Sequence, residues 1–127
     1  MENLECFLAG DRLPIGTSLT IYTSGRISER LLSWLADPAL AGCRFIHCGD
    51  YDPTGLDEFL RLAGALGPRA ELFVPAGLEE LFSLYGKPEL LRRSRIPLAR
   101  LRGSRHPQVR LVMDLIDRHG AGLEQEA

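Results

Sequence analysis

The chain has very little lysine, few cysteines and no long apolar run. Lys87 is the only lysine among fifteen basic residues, and the other fourteen are arginines. No apolar stretch approaches the ~20 residues that a membrane-spanning helix needs, and no signal-peptide pattern opens the sequence. We therefore expect a cytoplasmic protein with no membrane segment.

The three cysteines, Cys6, Cys43 and Cys48, are an odd number and form no C-x-x-C motif. This pattern argues against a disulfide framework and favours reduced thiols. Cys43, His47 and Cys48 lie too close together on one predicted strand to surround a tetrahedral zinc ion. A structural zinc site is therefore not expected.

Charge is distributed unevenly along the sequence. The 127 residues are 45% hydrophobic and 25% charged, as in one ordinary soluble domain, and the net charge is −2. The segment Leu90–Met113 nevertheless contains seven arginines and no acid: Arg92, Arg93, Arg95, Arg100, Arg102, Arg105 and Arg110. Guanidinium groups suit phosphate oxygens, so this segment is either a nucleic-acid-binding patch or a solvated surface.

Predicted strands and helices alternate along the chain. Short apolar runs predict strands at "LTIY" (19–22), "CRFIHC" (43–48) and "AELFVP" (70–75). Helices are predicted in "RISERLLSWLA", after Asp52-Pro53, in "LEELFSLYG" and from Pro107 to His119, with Gly120 as the last cap. The sequence therefore predicts an α/β domain with a small, mainly parallel sheet flanked by helices.

Three side chains are interpreted as core residues. Trp34 shares the apolar face of its predicted helix with Leu31 and Leu35. Tyr22 ends a predicted strand, and strand alternation favours a core position for His47 over a catalytic one.

Asp50 and Asp52 follow the second predicted strand in "HCGDYDPTGL". Two like charges this close repel unless a cation or hydrogen bonds offset them. In open α/β sheets, ligands bind at the carboxyl ends of the strands, and paired carboxylates suit Mg²⁺ or Mn²⁺. The alternative is that Asp52 only caps the following helix while Asp50 is a solvated loop residue.

Two enzyme classes use such an aspartate pair. "DYDPT" fits the D-x-D-x-T motif of haloacid-dehalogenase-like phosphatases, in which Asp50 would be the nucleophile and Asp52 a general acid. Those enzymes also need a lysine and a further acidic motif. Here Lys87 lies in a turn-like segment, and Asp114 and Asp117 lie in a predicted helix.

The second class is the Toprim domain, which has a glutamate after its first strand and D-x-D after its third. Glu2 stands at the expected distance before Asp50. With "ENLECF" (2–7), "IYTSG" (21–25), "HCGDYDPTGL" (47–56) and "GLEQEA" (122–127), the chain resembles the C-terminal Toprim-like domain of the Wadjet plasmid-defence nuclease subunit. That family is related to the A subunit of topoisomerase VI and to the meiotic recombination transesterase.

The resemblance implies a DNA-cleaving enzyme. Glu2, Asp50 and Asp52 would be catalytic, and together with Glu126 they would hold Mg²⁺ or Mn²⁺; Glu124 would approach the same site. The implied DNA-binding residues are Arg92, Arg93, Arg95, Arg100, Arg102 and Arg105. The implied partners are DNA, an SMC-like complex and a second copy of the chain.

The resemblance also implies a single Toprim-like domain over residues 1–127. We expect it to be part of a longer protein, with the first strand and the N-terminal DNA-binding region outside this sequence. Tyr22, Tyr51 and Tyr85 all fall within the Toprim unit, which favours hydrolysis over attack by a tyrosine. A non-catalytic Toprim module that binds DNA or a partner remains an alternative, as does the phosphatase.

Overall fold

The structure is a computed structural model that describes residues 1, 3–10, 16 and 19–125. Within these residues the chain forms seven α-helices, two β-strands and two short 3₁₀-helices (Pro38–Leu40 and Gly67–Arg69). The strands are β1 (Phe45–His47) and β2 (Ala70–Leu72). The helices are α1 (Leu4–Leu8), α2 (Glu29–Leu35), α3 (Pro53–Leu66), α4 (Leu78–Tyr85), α5 (Pro88–Arg93), α6 (Leu98–Arg102) and α7 (Pro107–His119).

The two strands pair in parallel, and α3 is the crossover between them. Phe45 lies opposite Ala70, and His47 lies opposite Leu72. A parallel pair requires such a crossover because the chain must return to the starting edge of the sheet. The predicted α/β class with a small parallel sheet is therefore confirmed.

A side chain from α7 satisfies the outer edge of β2. The amide group of Gln108 accepts a hydrogen bond from the Leu72 N–H at 2.9 Å and donates one to the Leu72 carbonyl at 2.6 Å. These two bonds replace the pairing of a neighbouring strand. At Leu72, therefore, the edge does not offer its backbone groups to another chain.

Helix α3 organises the core. Asp52 caps its first turn, Pro53 occupies the first helical position, and the helix ends before Gly67 at φ 60°. Its residues Leu56 and Phe59 are completely buried, as is Ile116 of α7. The helices predicted at these two places are confirmed, and burial of their apolar faces is the main contribution to the stability of the domain.

A buried ion pair ties the start of α2 to α3. Glu58 is only 5% exposed. It accepts hydrogen bonds from the Ile27 N–H at 2.7 Å and from Arg61 at 2.7 and 2.8 Å. Arg61 also donates to the Ile27 carbonyl and to Glu29. The Glu58 charge is thus fully paired, which a buried carboxylate needs.

The strand predicted at residues 19–22 is wrong: no strand is assigned there in the described chain. In the described part of the chain, the backbone here bonds to Met1, whose ammonium group donates to the Ile21 carbonyl and whose carbonyl accepts from the Thr23 N–H. A single paired residue does not make a ladder, which needs consecutive pairs of residues.

Two of the predicted core residues are also wrong. Trp34 is 50% exposed, because the buried face of α2 is centred on Leu31, Leu32 and Leu35, and Trp34 lies at its margin. Tyr22 is 37% exposed and stacks only on Phe7, with 5.6 Å between the ring centroids. Both errors come from assigning apolar residues to a face without knowing what covers it.

Within the described residues, no helix is both long and apolar enough to cross a membrane. All three cysteines are described, and no disulfide joins them. Cys48 is buried, Cys6 is half-buried and Cys43 is exposed, so the three thiols have different access to solvent.

His47, at the end of β1, is buried as predicted. It is 6% exposed, its ring lies 6.0 Å from that of Phe59, and its Nε2 has no hydrogen-bond partner among the described residues. Burial lowers the pKa of His47 to about 4, and the Met1 ammonium group acts in the same direction. The folded chain thus keeps this imidazole neutral.

We expect the free energy of unfolding to fall as the pH is lowered from about 6.5 to about 4, because the unfolded chain protonates His47 and the folded chain does not. Because the pKa of His47 is lower in the folded chain than in the unfolded chain, its full contribution to stability is present above pH 6.5 and is lost as the pH falls towards 4. Its upper limit is about 3 kcal/mol.

Urea denaturation across this pH window should show the loss in the unmodified chain and a smaller one in His47→Phe, which keeps a ring against Phe59. Other titrating groups, including His106, whose ring also contacts Phe59, contribute to both chains and cancel in the difference. Parallel curves for the two chains would contradict the assignment to His47.

Candidate metal centre

The Asp50–Asp52 loop connects β1 to α3. β1 ends at His47, the backbone continues through buried Cys48 and Gly49, and the two aspartates follow. Asp52 Oδ1 accepts a hydrogen bond from the Gly55 N–H at 2.8 Å, so this carboxylate caps α3. The predicted cap is confirmed, and the loop lies at the carboxyl end of a parallel strand, as predicted.

Tyr51, between the aspartates, points into the core. It is 4% exposed, and its hydroxyl donates to the Phe73 carbonyl at 2.9 Å. Burial raises the pKa of the phenol well above its usual value. The aspartates on either side therefore share the opposite face of the loop, as strand alternation predicts.

The C-terminal segment, residues 122–125, runs along this loop. Leu123 pairs with Tyr51 in an antiparallel bridge, with N–H to O distances of 2.8 and 3.1 Å. Two residues further, the Gln125 N–H donates to Asp50 Oδ1 at 2.8 Å. A segment at the far end of the sequence thereby becomes part of the acidic centre.

The same segment pairs with Lys87 on its other side. Gly122 and Lys87 form a second antiparallel bridge, and the Lys87 ammonium group forms an ion pair with Glu124. The Glu124 charge also acts on both Asp50 and Asp52. Glu124 is therefore near enough to affect both aspartates electrostatically, and its ion pair places Lys87 beside it.

Electrostatics at the centre disfavour uncompensated negative charge. Burial raises the pKa of Asp50; the Gln125 N–H lowers it, the neighbouring Asp52 and Glu124 raise it further, and Lys87 opposes them. Burial also raises the pKa of Asp52, against hydrogen bonds from the N–H groups of Gly55 and Thr54. A bound cation would offset this repulsion.

Two glycines allow the segments to approach this closely. A Cβ on Gly55 would lie 2.2 Å from the Asp50 carbonyl oxygen, so the first turn of α3 packs directly on the loop backbone. A Cβ on Gly122 would lie 2.9 Å from the Asp52 Cβ. Both distances are too short for any side chain, and both glycines lie in the motifs "DPTGL" and "GLEQ".

The donor set fits a hard divalent cation only in part. Carboxylate oxygens are the ligands that Mg²⁺ and Mn²⁺ prefer, and hydrogen bonds from the described residues reach only one oxygen of Asp50. Within the described chain, however, no group of three or more potential ligands is close enough to hold a metal ion. The other two predicted ligands, Glu2 and Glu126, lie outside the described residues.

The predicted DNA-binding arginines divide into two groups. Arg100 contacts buried Asp57 at 3.0 Å, and Arg102 pairs with Asp117 at 2.6 Å. The contact to Asp57 lacks hydrogen-bond geometry, so it is a charge contact only. The other members are exposed and form no ion pair with any described residue: Arg92, Arg93, Arg95 and Arg105.

The sequence interpretation missed three features of this centre: Lys87, Gly55 and Gly122. Lys87 follows a turn and is far from any motif, so nothing in its neighbourhood indicates a site. The glycines did carry a signal, since each lies beside an acidic motif where a backbone has to approach closely.

The acidic loop of this α/β domain lies at the carboxyl end of a parallel strand, which is the edge at which open α/β sheets bind their ligands. A family model described as "Wadjet protein JetD, C-terminal" matches residues 1–127, the whole chain. The chain therefore belongs to this family, and the predicted resemblance is confirmed. Searches of curated proteins and of solved structures gave no match.

We expect Gly55→Ala to lower the free energy of unfolding by about 1–3 kcal/mol, because the new methyl group collides with the Asp50 carbonyl. Gly64→Ala is the matched control: Gly64 lies in the same helix, is exposed, and a Cβ added to it would meet no atom within 4 Å. That control should gain about 0.5–1 kcal/mol from helix propensity.

Urea denaturation of both variants measures the difference. If Gly55→Ala proved as stable as Gly64→Ala, the close packing of α3 on the Asp50 loop would be refuted.

Proposed function

We propose that this chain is the metal-binding domain of a nuclease that hydrolyses phosphodiester bonds in DNA with Mg²⁺ or Mn²⁺. One observation carries the proposal: Asp50 and Asp52 lie together in the loop after β1, and the charge of Glu124 raises the pKa of both, in a chain that belongs to the Wadjet JetD family. The Toprim-like site implied by the resemblance is part of this proposal.

Asp50 and Asp52 would hold the metal, with Glu2 and Glu126 as further ligands from the two ends of the sequence. When bound, a divalent ion supplies Lewis-acid stabilisation of the attacking and leaving oxygens of a phosphodiester. The protein contributes rigid placement: the Gln125 N–H orients Asp50, and the cap bond to Gly55 orients Asp52.

Hydrolysis fits the surroundings of Tyr51 better than attack by this tyrosine. Tyr51 lies between the aspartates in sequence, and its hydroxyl is committed to the Phe73 carbonyl inside the core. A nucleophile has to reach the phosphorus atom, which a buried and hydrogen-bonded phenol does not do. Water is therefore the nucleophile that this arrangement supports.

The unpaired arginines of α5 and of the segments that follow α5 and α6 would contact the DNA backbone. Arg92, Arg93, Arg95 and Arg105 are exposed and form no ion pair with a described residue, whereas Arg102 already pairs with Asp117. Contacts of this kind bind phosphates without reading sequence. An SMC-like complex and a second copy of the chain are further proposed partners, which the family membership supports only in general terms.

The rival proposal is a non-catalytic module that binds DNA or a partner protein, with Asp52 acting only as a helix cap. Experiment can distinguish this rival from the nuclease, because the rival predicts that replacing either aspartate leaves metal binding unchanged. The phosphatase alternative predicts a phosphorylated Asp50 and turnover of a small phosphate ester without DNA.

Calorimetric titration with Mn²⁺ and Mg²⁺ should show saturable binding that is lost in Asp50→Asn and Asp52→Asn. Asparagine caps helices as well as aspartate does, so Asp52→Asn removes the charge and keeps the cap. Asp114→Asn removes an exposed charge from α7 and should leave binding unchanged. Metal binding that survives in both Asp50→Asn and Asp52→Asn would refute the proposal that these aspartates hold the metal.

DNA affinity should depend on the arginines that lack partners. We expect Arg92→Gln and Arg93→Gln to weaken binding and each to reduce the slope of log K against log salt by about 1. Arg30→Gln, an exposed arginine outside this segment, is the control and should change neither value. Fluorescence anisotropy over a salt series measures both. Equal losses from all three variants would mean that the segment is no specific DNA surface.

A further inference from the structure

The single lysine of the chain is built into the acidic centre. Its backbone pairs with Gly122 in both directions, at 2.7 and 3.2 Å, and its ammonium group contacts Glu124. Lys87 therefore has a fixed position beside the aspartate loop, although its side chain remains 45% exposed.

Lys87 is also the one cationic side chain in the described residues that acts on this centre. The Lys87 charge acts on Asp50, while the arginines that form ion pairs are engaged elsewhere: with Glu58, Glu71, Asp57, Asp117, Glu29 and Glu79. Lys87 thus offsets negative charge at two of the three carboxylates: it pairs with Glu124 and lowers the pKa of Asp50.

We propose that Lys87 is the resident counter-ion of the acidic centre: it neutralises Glu124 in the metal-free protein and competes with a divalent cation for that charge. This inference deepens the proposed function and rests on it for the identity of the competing ion. In this scheme a divalent cation bound at Asp50 and Asp52 would take over the neutralisation of the centre, and the Lys87 ammonium group would be released from Glu124.

The choice of residue fits this role. Every other basic position in the chain is an arginine, whose planar fork holds a carboxylate through two parallel bonds. An ammonium group on a flexible stem makes a point-charge contact that is easier to exchange. Both partners are accessible enough to separate, since Glu124 is 36% exposed.

Thermal unfolding without metal tests the counter-ion role alone. Lys87→Met keeps most of the side-chain stem and removes the charge, so we expect its melting temperature to fall by about 3 °C or more in low salt and to recover as salt is added. Arg30→Met removes an exposed charge elsewhere and should change much less.

Glu124→Gln provides the double-mutant cycle. If Lys87 acts by neutralising Glu124, then Lys87→Met should cost much less in a chain that already carries Glu124→Gln. A purely structural lysine would cost the same in both backgrounds. An unchanged melting temperature in Lys87→Met, or equal costs in the two backgrounds, would overturn the proposal.

Calorimetry with Mn²⁺ tests the competition. Removal of one positive charge from the centre should tighten Mn²⁺ binding roughly fivefold in Lys87→Met, and Glu124→Gln should weaken it. Unchanged or weaker binding in Lys87→Met would overturn the competition. If neither chain binds Mn²⁺, the proposed nuclease function fails, and the melting data still decide whether Lys87 is the counter-ion.

Discussion

The antiparallel pairing of Tyr51 with Leu123 is the interaction on which the acidic centre depends. It aligns the C-terminal segment with the loop after β1, and from this register follow the hydrogen bond of Gln125 to Asp50 and the approach of Glu124. The side chain of Tyr51 fixes the loop from the other side through its bond to the Phe73 carbonyl. Because the centre joins two segments that are far apart in sequence, it needs this backbone register more than any single side chain.

The cost of this arrangement is electrostatic. Burial and mutual repulsion raise the pKa values of Asp50 and Asp52, and backbone N–H groups together with Lys87 offset part of that cost. A site that concentrates negative charge and compensates it incompletely is suited to attract a divalent cation. In the proposed function, the arginines exposed on α5 and near α6 would add positive charge for the DNA backbone, and the acidic centre would hold the metal ions.

Much of the fold could be predicted from the sequence, because its elements are set by local signals. The cap Asp52-Pro53, the apolar periodicity of α3 and α7 and the glycine after His119 placed these helices correctly. The position of Lys87 could not be predicted, since it depends on pairing with Gly122, which lies far from it in the sequence. The prediction that Trp34 is buried failed for a related reason: periodicity identifies the apolar face of a helix but not how much of that face another helix covers.

Anomalous scattering from crystals of the chain soaked in Mn²⁺ tests the central claim most directly. The account predicts a strong peak within coordination distance of carboxylate oxygens of both Asp50 and Asp52, and it predicts that this peak is absent from crystals of Asp50→Asn. A peak elsewhere on the surface, or no peak at saturating Mn²⁺ in crystals that leave the loop open to solvent, would contradict the assignment of this centre as a metal site.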